Sequence, residues 1–147
     1  MEKNKIKLEE LFPLIQEKLE SGGDVVFTVT GSSMLPFMKD GKTLVTIKQI
    51  DKKLKKHDIV FYKNNGKFIL HRILKITSNY IITCGDGLTK LEYIKESDIF
   101  AKVVKFQNGH VLTDVKNIFY RFKVNIWLLL RPFRRYLLFI LRKIKKL

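Results

Sequence analysis

A single cysteine, Cys84, is all the thiol this 147-residue chain carries, which excludes an internal disulfide and a cysteine-built zinc site. Its three histidines, His57, His71 and His110, are too scattered to argue for a metal centre, so neither metal nor cofactor is expected. Acidic residues stop at Asp114, yet ten Lys or Arg residues follow, so two thirds of the net +15 sits in the last fifth of the chain. Long apolar runs are missing too. The longest uncharged ones, Val124 to Leu130 and Tyr136 to Leu141, fall short of the ~18 residues a spanning helix needs. The first residues, MEKNKIKLEE, contain no apolar stretch of the kind a secretory signal has. The expectation is a domain held peripherally at an anionic surface, on the cytoplasmic face of a membrane.

What is present is ample for a core, with 46% hydrophobic residues. Residues 5–21 carry Ile6, Leu8, Leu11, Leu14, Ile15 and Leu19 at mostly three- and four-residue spacings, an amphipathic helix ended by Ser21-Gly22-Gly23. Pro13 either kinks it or marks a late start. From Asp24 onward the pattern becomes short apolar runs at 24–30, 43–50, 57–62, 67–77, 79–84 and 99–106, separated by turn signals. Asn65-Gly66 and Asn108-Gly109 are hairpin signals. The fold class is therefore mainly β, a coiled antiparallel sheet or partly open barrel. Helical spacing returns from Ile118 to Ile144, and Pro132 divides that stretch in two. Three parts follow: an N-terminal helix over 1–23, a β-rich domain over 24–114, and basic amphipathic helices over 115–147.

The chemistry centres on Thr28 to Gly41, TVTGSSMLPFMKDG, where a β-run breaks at Gly31 and presents Ser32 and Ser33 before Met34 and a proline-fixed turn. Two serines in a turn are ordinary unless a base and an orienting acid accompany them. His71, in the β-rich run Phe68 to Ile73, is the base candidate. Asp86, in Gly85-Asp86-Gly87, and Glu92, six residues on, are the acid candidates. Each has a plain alternative: a core histidine, a tight Gly-Asp-Gly turn, a surface glutamate. Cys84 beside that turn reads as a small buried strand residue.

In this order the pieces resemble the serine peptidases of the signal peptidase I and LexA-like superfamily (S24/S26-type), over roughly residues 25–106. Gly31-Ser32-Ser33-Met34-Leu35-Pro36 looks like its Gly-x-Ser-Met-x-Pro box, which makes Ser33 the nucleophile. Asp58-Ile59-Val60-Phe61 resembles its Gly-Asp-Ile-Val strand, with His57 in place of the usual glycine. His71-Arg72 stands where one branch, the endoplasmic-reticulum and archaeal type, carries His-Arg in place of a lysine base. Gly85-Asp86 resembles the Gly-Asp box, and Glu92 stands near that branch's third residue, so the resemblance implies that either Glu92 or Asp86 orients His71. The resemblance implies a serine endopeptidase acting on an extended polypeptide precursor, as in signal peptide processing, with small side chains favoured near the cleaved bond. Ser32, Ser33 and Met34 would line the substrate and oxyanion side, and Gly31 leaves no hydroxyl for a second oxyanion donor.

The alternative is a LexA-like or catalytically inactive regulatory module. No helix-turn-helix precedes the β region, and the basic tail is too apolar for a DNA arm, so no nucleic-acid partner is expected. For the tail, a central Arg costs a spanning helix roughly 2.5–3.5 kcal/mol. Arg131, Arg134 and Arg135 therefore favour helices that lie flat, with Trp127, Leu130, Phe133, Leu137 and Ile140 entering an anionic bilayer.

Overall fold

Alternation of apolar and polar residues, punctuated by Asn-Gly and Gly-Asp turns, gives short strands joined by tight loops. The computed structural model describes residues 8–145, with the side chains of 8–144. Ile6 of the expected N-terminal helix and Lys146 of the tail lie outside the described residues. Helix α1 is Leu8–Glu20 and passes through Pro13. The strands are β1 (Val25–Thr28), β2 (Leu44–Lys48), β3 (Ile59–Asn64), β4 (Lys67–Ile76), β5 (Ile81–Cys84), β6 (Glu92–Ile94), β7 (Ile99–Asn108) and β8 (Val111–Asp114). Helices α2 (Ile118–Leu129) and α3 (Arg134–Lys145) follow, separated by a 3-10 turn at Arg131–Phe133 that holds Pro132.

All pairings are antiparallel, in the order β1-β2-β7-β3-β4-β5-β6, with β8 attached to β7. The sheet is open, with β1 at one end and β6 at the other. Asn65-Gly66 forms the expected β3–β4 hairpin. Both residues have positive φ, 51° and 75°, the left-handed conformation that a two-residue turn of this kind demands. The strand β6 was not among the expected runs: three residues, Glu-Tyr-Ile, are too few to show alternation.

Register sorts the side chains onto two faces. His71 lies opposite Val60 across β3–β4, Ile73 opposite Thr83 across β4–β5, and Thr83 opposite Glu92 across β5–β6. Tyr62, two residues along from Val60, shares their face. This face is packed by Leu54, Val60, Ile73, Ile81, Ile94 and Ile99. Arg72 and Cys84 point the other way, as does Phe61. The larger core there joins α1 through Ile15 and Leu19, and α2 through Tyr120 and Val124. Each such fully buried side chain contributes about 1.5–3 kcal/mol. Helix α2 thus helps close the β core.

Candidate active site

The strand β1 ends at Thr28, and the chain then makes a closed loop that carries Ser32 and Ser33. Val29 N–H donates to Thr43 O at 2.9 Å and Gly41 N–H to Val29 O at 2.8 Å, closing the base of the loop. Gly31, at φ +84°, donates its N–H to Asp40 Oδ1 at 2.8 Å. Met34, 1% exposed, and Met38 anchor the loop in the large core. The side chain of Met34, expected on the substrate side, is buried in that core. Ser33 is half-buried and Ser32 exposed. The Ser33 amide makes no hydrogen bond among the described residues.

The turn Gly85-Asp86-Gly87 lies directly against these serines. Gly87 N–H donates to Ser33 O at 2.8 Å. A Cβ on Gly85 would overlap the Ser33 carbonyl and stand 3.0 Å from His71 Nε2. One on Gly87 would press on the Ser32 carbonyl. Both glycines are required by this close approach of backbone to backbone, which brings the Ser33 carbonyl and the Nε2 edge of His71 against the same glycine, Gly85. No hydrogen bond joins the Ser33 hydroxyl to His71 among the described residues.

His71 is 4% exposed. Its other nitrogen, Nδ1, lies 3.2 Å from Tyr62 Oη and 3.8 Å from Glu92 Oε1. Tyr62 donates its proton to Glu92 Oε2 at 2.6 Å, and Thr83 Oγ1 lies 2.8 Å from the same phenol oxygen. A phenol that donates to a carboxylate is left with acceptor lone pairs only, so His71 must supply the proton between Nδ1 and Tyr62. Assigned in this way, the network fixes the tautomer protonated on Nδ1, which leaves a lone pair on Nε2, the edge that lies against Gly85. Burial, reinforced by Glu92, pushes the Tyr62 pKa up, so the phenol stays protonated. Burial lowers the His71 pKa, and Glu92 and Asp86 offset that only in part. The imidazole is therefore neutral at neutral pH.

The two acid candidates part company. Asp86, 1% exposed, accepts two hydrogen bonds from Arg72 at 2.8 and 2.7 Å, a bidentate pair buried on the face opposite His71. Arg72 also donates to Tyr120 Oη at 2.8 Å and to His57 O at 2.9 Å. Burial alone would lower the Arg72 pKa, but Asp86 outweighs it and holds the guanidinium charged. His57 takes the left-handed conformation, φ 79°, so the usual glycine geometry survives its replacement. That carbonyl is what Arg72 reaches.

The C-terminal helices complete the site from behind. Trp127, 8% exposed, donates Nε1–H to Asp86 O at 2.8 Å. Arg134, 1% exposed, donates to Leu88 O at 2.9 Å and lies over the Trp127 ring. Both were expected at a membrane surface; both face inward, because their side of the helices covers the Gly85–Leu88 loop. Arg135 is exposed, Arg131 half-buried. Tyr62 and Thr83 escaped the sequence reading because each sits in an apolar strand and belongs to none of the quoted motifs, although each lies near one. Register with His71 and Glu92, not composition, identifies them.

A family model described as Peptidase S24-like matches residues 2–104, which spans the serine loop, His71, Asp86 and Glu92. Among curated proteins none matches the chain.

Proposed function

The chain belongs to the Peptidase S24-like family, and from that premise we propose that it is a serine endopeptidase cleaving a precursor polypeptide through Ser33 and His71. The observation that supports this reading is that the Ser33 backbone carbonyl and His71 Nε2 both pack against Gly85, while Nδ1 lies on Tyr62, which donates to Glu92. Ser33 Oγ attacks the scissile carbonyl while His71 Nε2 takes the hydroxyl proton. The imidazolium so formed keeps its Nδ1–H on Tyr62 and is stabilised by the Glu92 carboxylate 3.8 Å away. The tetrahedral oxyanion is received by the unpaired Ser33 N–H. Collapse expels the amine, which takes the proton back from Nε2, and leaves an acyl-Ser33 ester. Water, deprotonated by the same nitrogen, then releases the acid product.

In this scheme Glu92 acts on His71 partly through Tyr62, and Asp86 serves to hold the serine-facing loop. An extended substrate is accommodated by strand addition along β1, the terminal strand that runs directly into the serine loop. Cleavage of a random peptide library by the full chain, mapped by mass spectrometry, tests the reading. Cleavage should vanish in Ser33→Ala and in His71→Ala. Undiminished cleavage by Ser33→Ala refutes the mechanism, and no cleavage by the unmodified chain favours an inactive regulatory module.

A further inference from the structure

Helix α2 is apolar on two sides. Tyr120, Val124 and Trp127 point inward and are buried. On the far side, at the 3.6-residue period, Ile118, Phe122, Ile126 and Leu129 form a second stripe, 79, 64, 42 and 80% exposed. Phe119 and Phe133 widen it, at 78 and 61%. A soluble surface seldom leaves a continuous row of large aliphatic and aromatic side chains bare, and such a row marks a docking face.

The charges around it say what docks. Arg121 and Lys123 flank the stripe on α2, and Arg135, Arg142 and Lys143 are exposed on α3. No acidic residue follows Asp114. A second copy of the chain seated on this face would set these cations against their own kind. A nucleic acid would satisfy the cations but not the isoleucines and leucines. An anionic bilayer takes both, acyl chains against the stripe and phosphates against the rim. Among the described residues no helix is long and apolar enough to cross a membrane, so the helices would lie in the interface.

We propose that the outer face of α2, continued on α3, docks flat on an anionic lipid surface. The docking residues are the outward stripe, not Trp127 and Arg134, which are committed to the loop beneath. Because Trp127 holds Asp86 O from the inner side of α2, the Gly85-Asp86-Gly87 turn that packs against the serines lies across one helix, about 10 Å thick, from the bilayer. The proposal needs no catalysis, so it stands or falls apart from the peptidase reading.

The test is co-sedimentation of the full chain with vesicles of phosphatidylcholine alone or mixed with phosphatidylglycerol. Binding should be at least about tenfold tighter to the anionic vesicles and should weaken with salt. The double variant Phe122→Ser/Leu129→Ser, at positions too exposed to carry the fold, should lose about tenfold or more in binding. Its circular dichroism and thermal midpoint should match those of the unmodified chain. Equal binding to both vesicle types, no binding to either, or full binding by the folded double variant overturns the proposal. So does lipid-free self-association, seen by analytical ultracentrifugation, that the double variant abolishes; a second copy would then be the occupant.

Discussion

Removing one oxygen atom, in Tyr62→Phe, should cripple the base while the sheet stays folded. Tyr62 is fully buried, and its hydroxyl is the meeting point of Glu92 Oε2 at 2.6 Å, Thr83 Oγ1 at 2.8 Å and His71 Nδ1 at 3.2 Å. Without it the Nδ1 proton has no acceptor at hydrogen-bond distance, since Glu92 Oε1 is 3.8 Å away. Among the described residues Glu92 retains only the long contact from Asn64 Nδ2 at 3.4 Å. Hydrogen bonds to charged groups are worth about 1.5–3 kcal/mol net. His71 carries its charge only as the tetrahedral intermediate forms, so the loss falls on the transition state. At about 1.4 kcal/mol per tenfold, kcat on a peptide found by library cleavage should drop by about 10- to 150-fold, with KM nearly unchanged. Thr83→Val is the control: it removes a bond to the same phenol but not the acceptor for His71, and should cost stability with kcat held within about threefold. If Tyr62→Phe melts earlier yet keeps kcat within about twofold of the unmodified chain, Tyr62 is only structural and the relay is wrong.

Because burial lowers the His71 pKa and only neutral imidazole accepts the proton, kcat/KM should rise with pH through a midpoint below 6.5, the ordinary histidine value, and be flat above it; a midpoint above that value contradicts the assignment of the base. The same shift makes the unfolded chain bind a proton more readily than the folded one, so this histidine's contribution to stability is whole above pH 6.5 and falls as acid is added toward the lowered pKa, a trend that chemical denaturation at stepped pH should follow and His71→Ala should blunt. Asp86→Ala leaves Arg72 charged and buried, and should destabilise the fold by about 3–5 kcal/mol in urea titrations, whereas Glu92→Gln should slow catalysis with a smaller loss of stability. Gly85→Ala drives a methyl into the Ser33 carbonyl and should abolish cleavage while far-ultraviolet circular dichroism remains that of a β-rich protein.

Much of this architecture is written in short-range chemistry. Asn65-Gly66 demands a hairpin because few other residue pairs accept two positive φ angles, and Pro132 ends α2 where it breaks the helical hydrogen-bond ladder. Ser33, His71, Asp86 and Glu92 were all legible as candidates, but their division of labour was not. Asp86 and Glu92 are close in sequence, yet one partners Arg72 on one face of the sheet and the other faces His71 across it. Only strand register decides that, and the three residues of β6 carry no periodic signal. In the tail it was the facing of the helices that the sequence did not show. A helix apolar on two faces shows the same spacing whichever face turns inward, so Trp127 and Arg134 looked like interfacial residues. Their partners are backbone carbonyls 41 and 46 residues away, at Asp86 and Leu88.

Activation of Ser33 by His71 is read most directly by the rate at which a fluorophosphonate modifies the full chain, followed by intact mass and peptide mapping. A single adduct should form on Ser33, at least about 100-fold more slowly in His71→Ala, as expected on losing a general base. Modification at another residue, or an undiminished rate in His71→Ala, would contradict it.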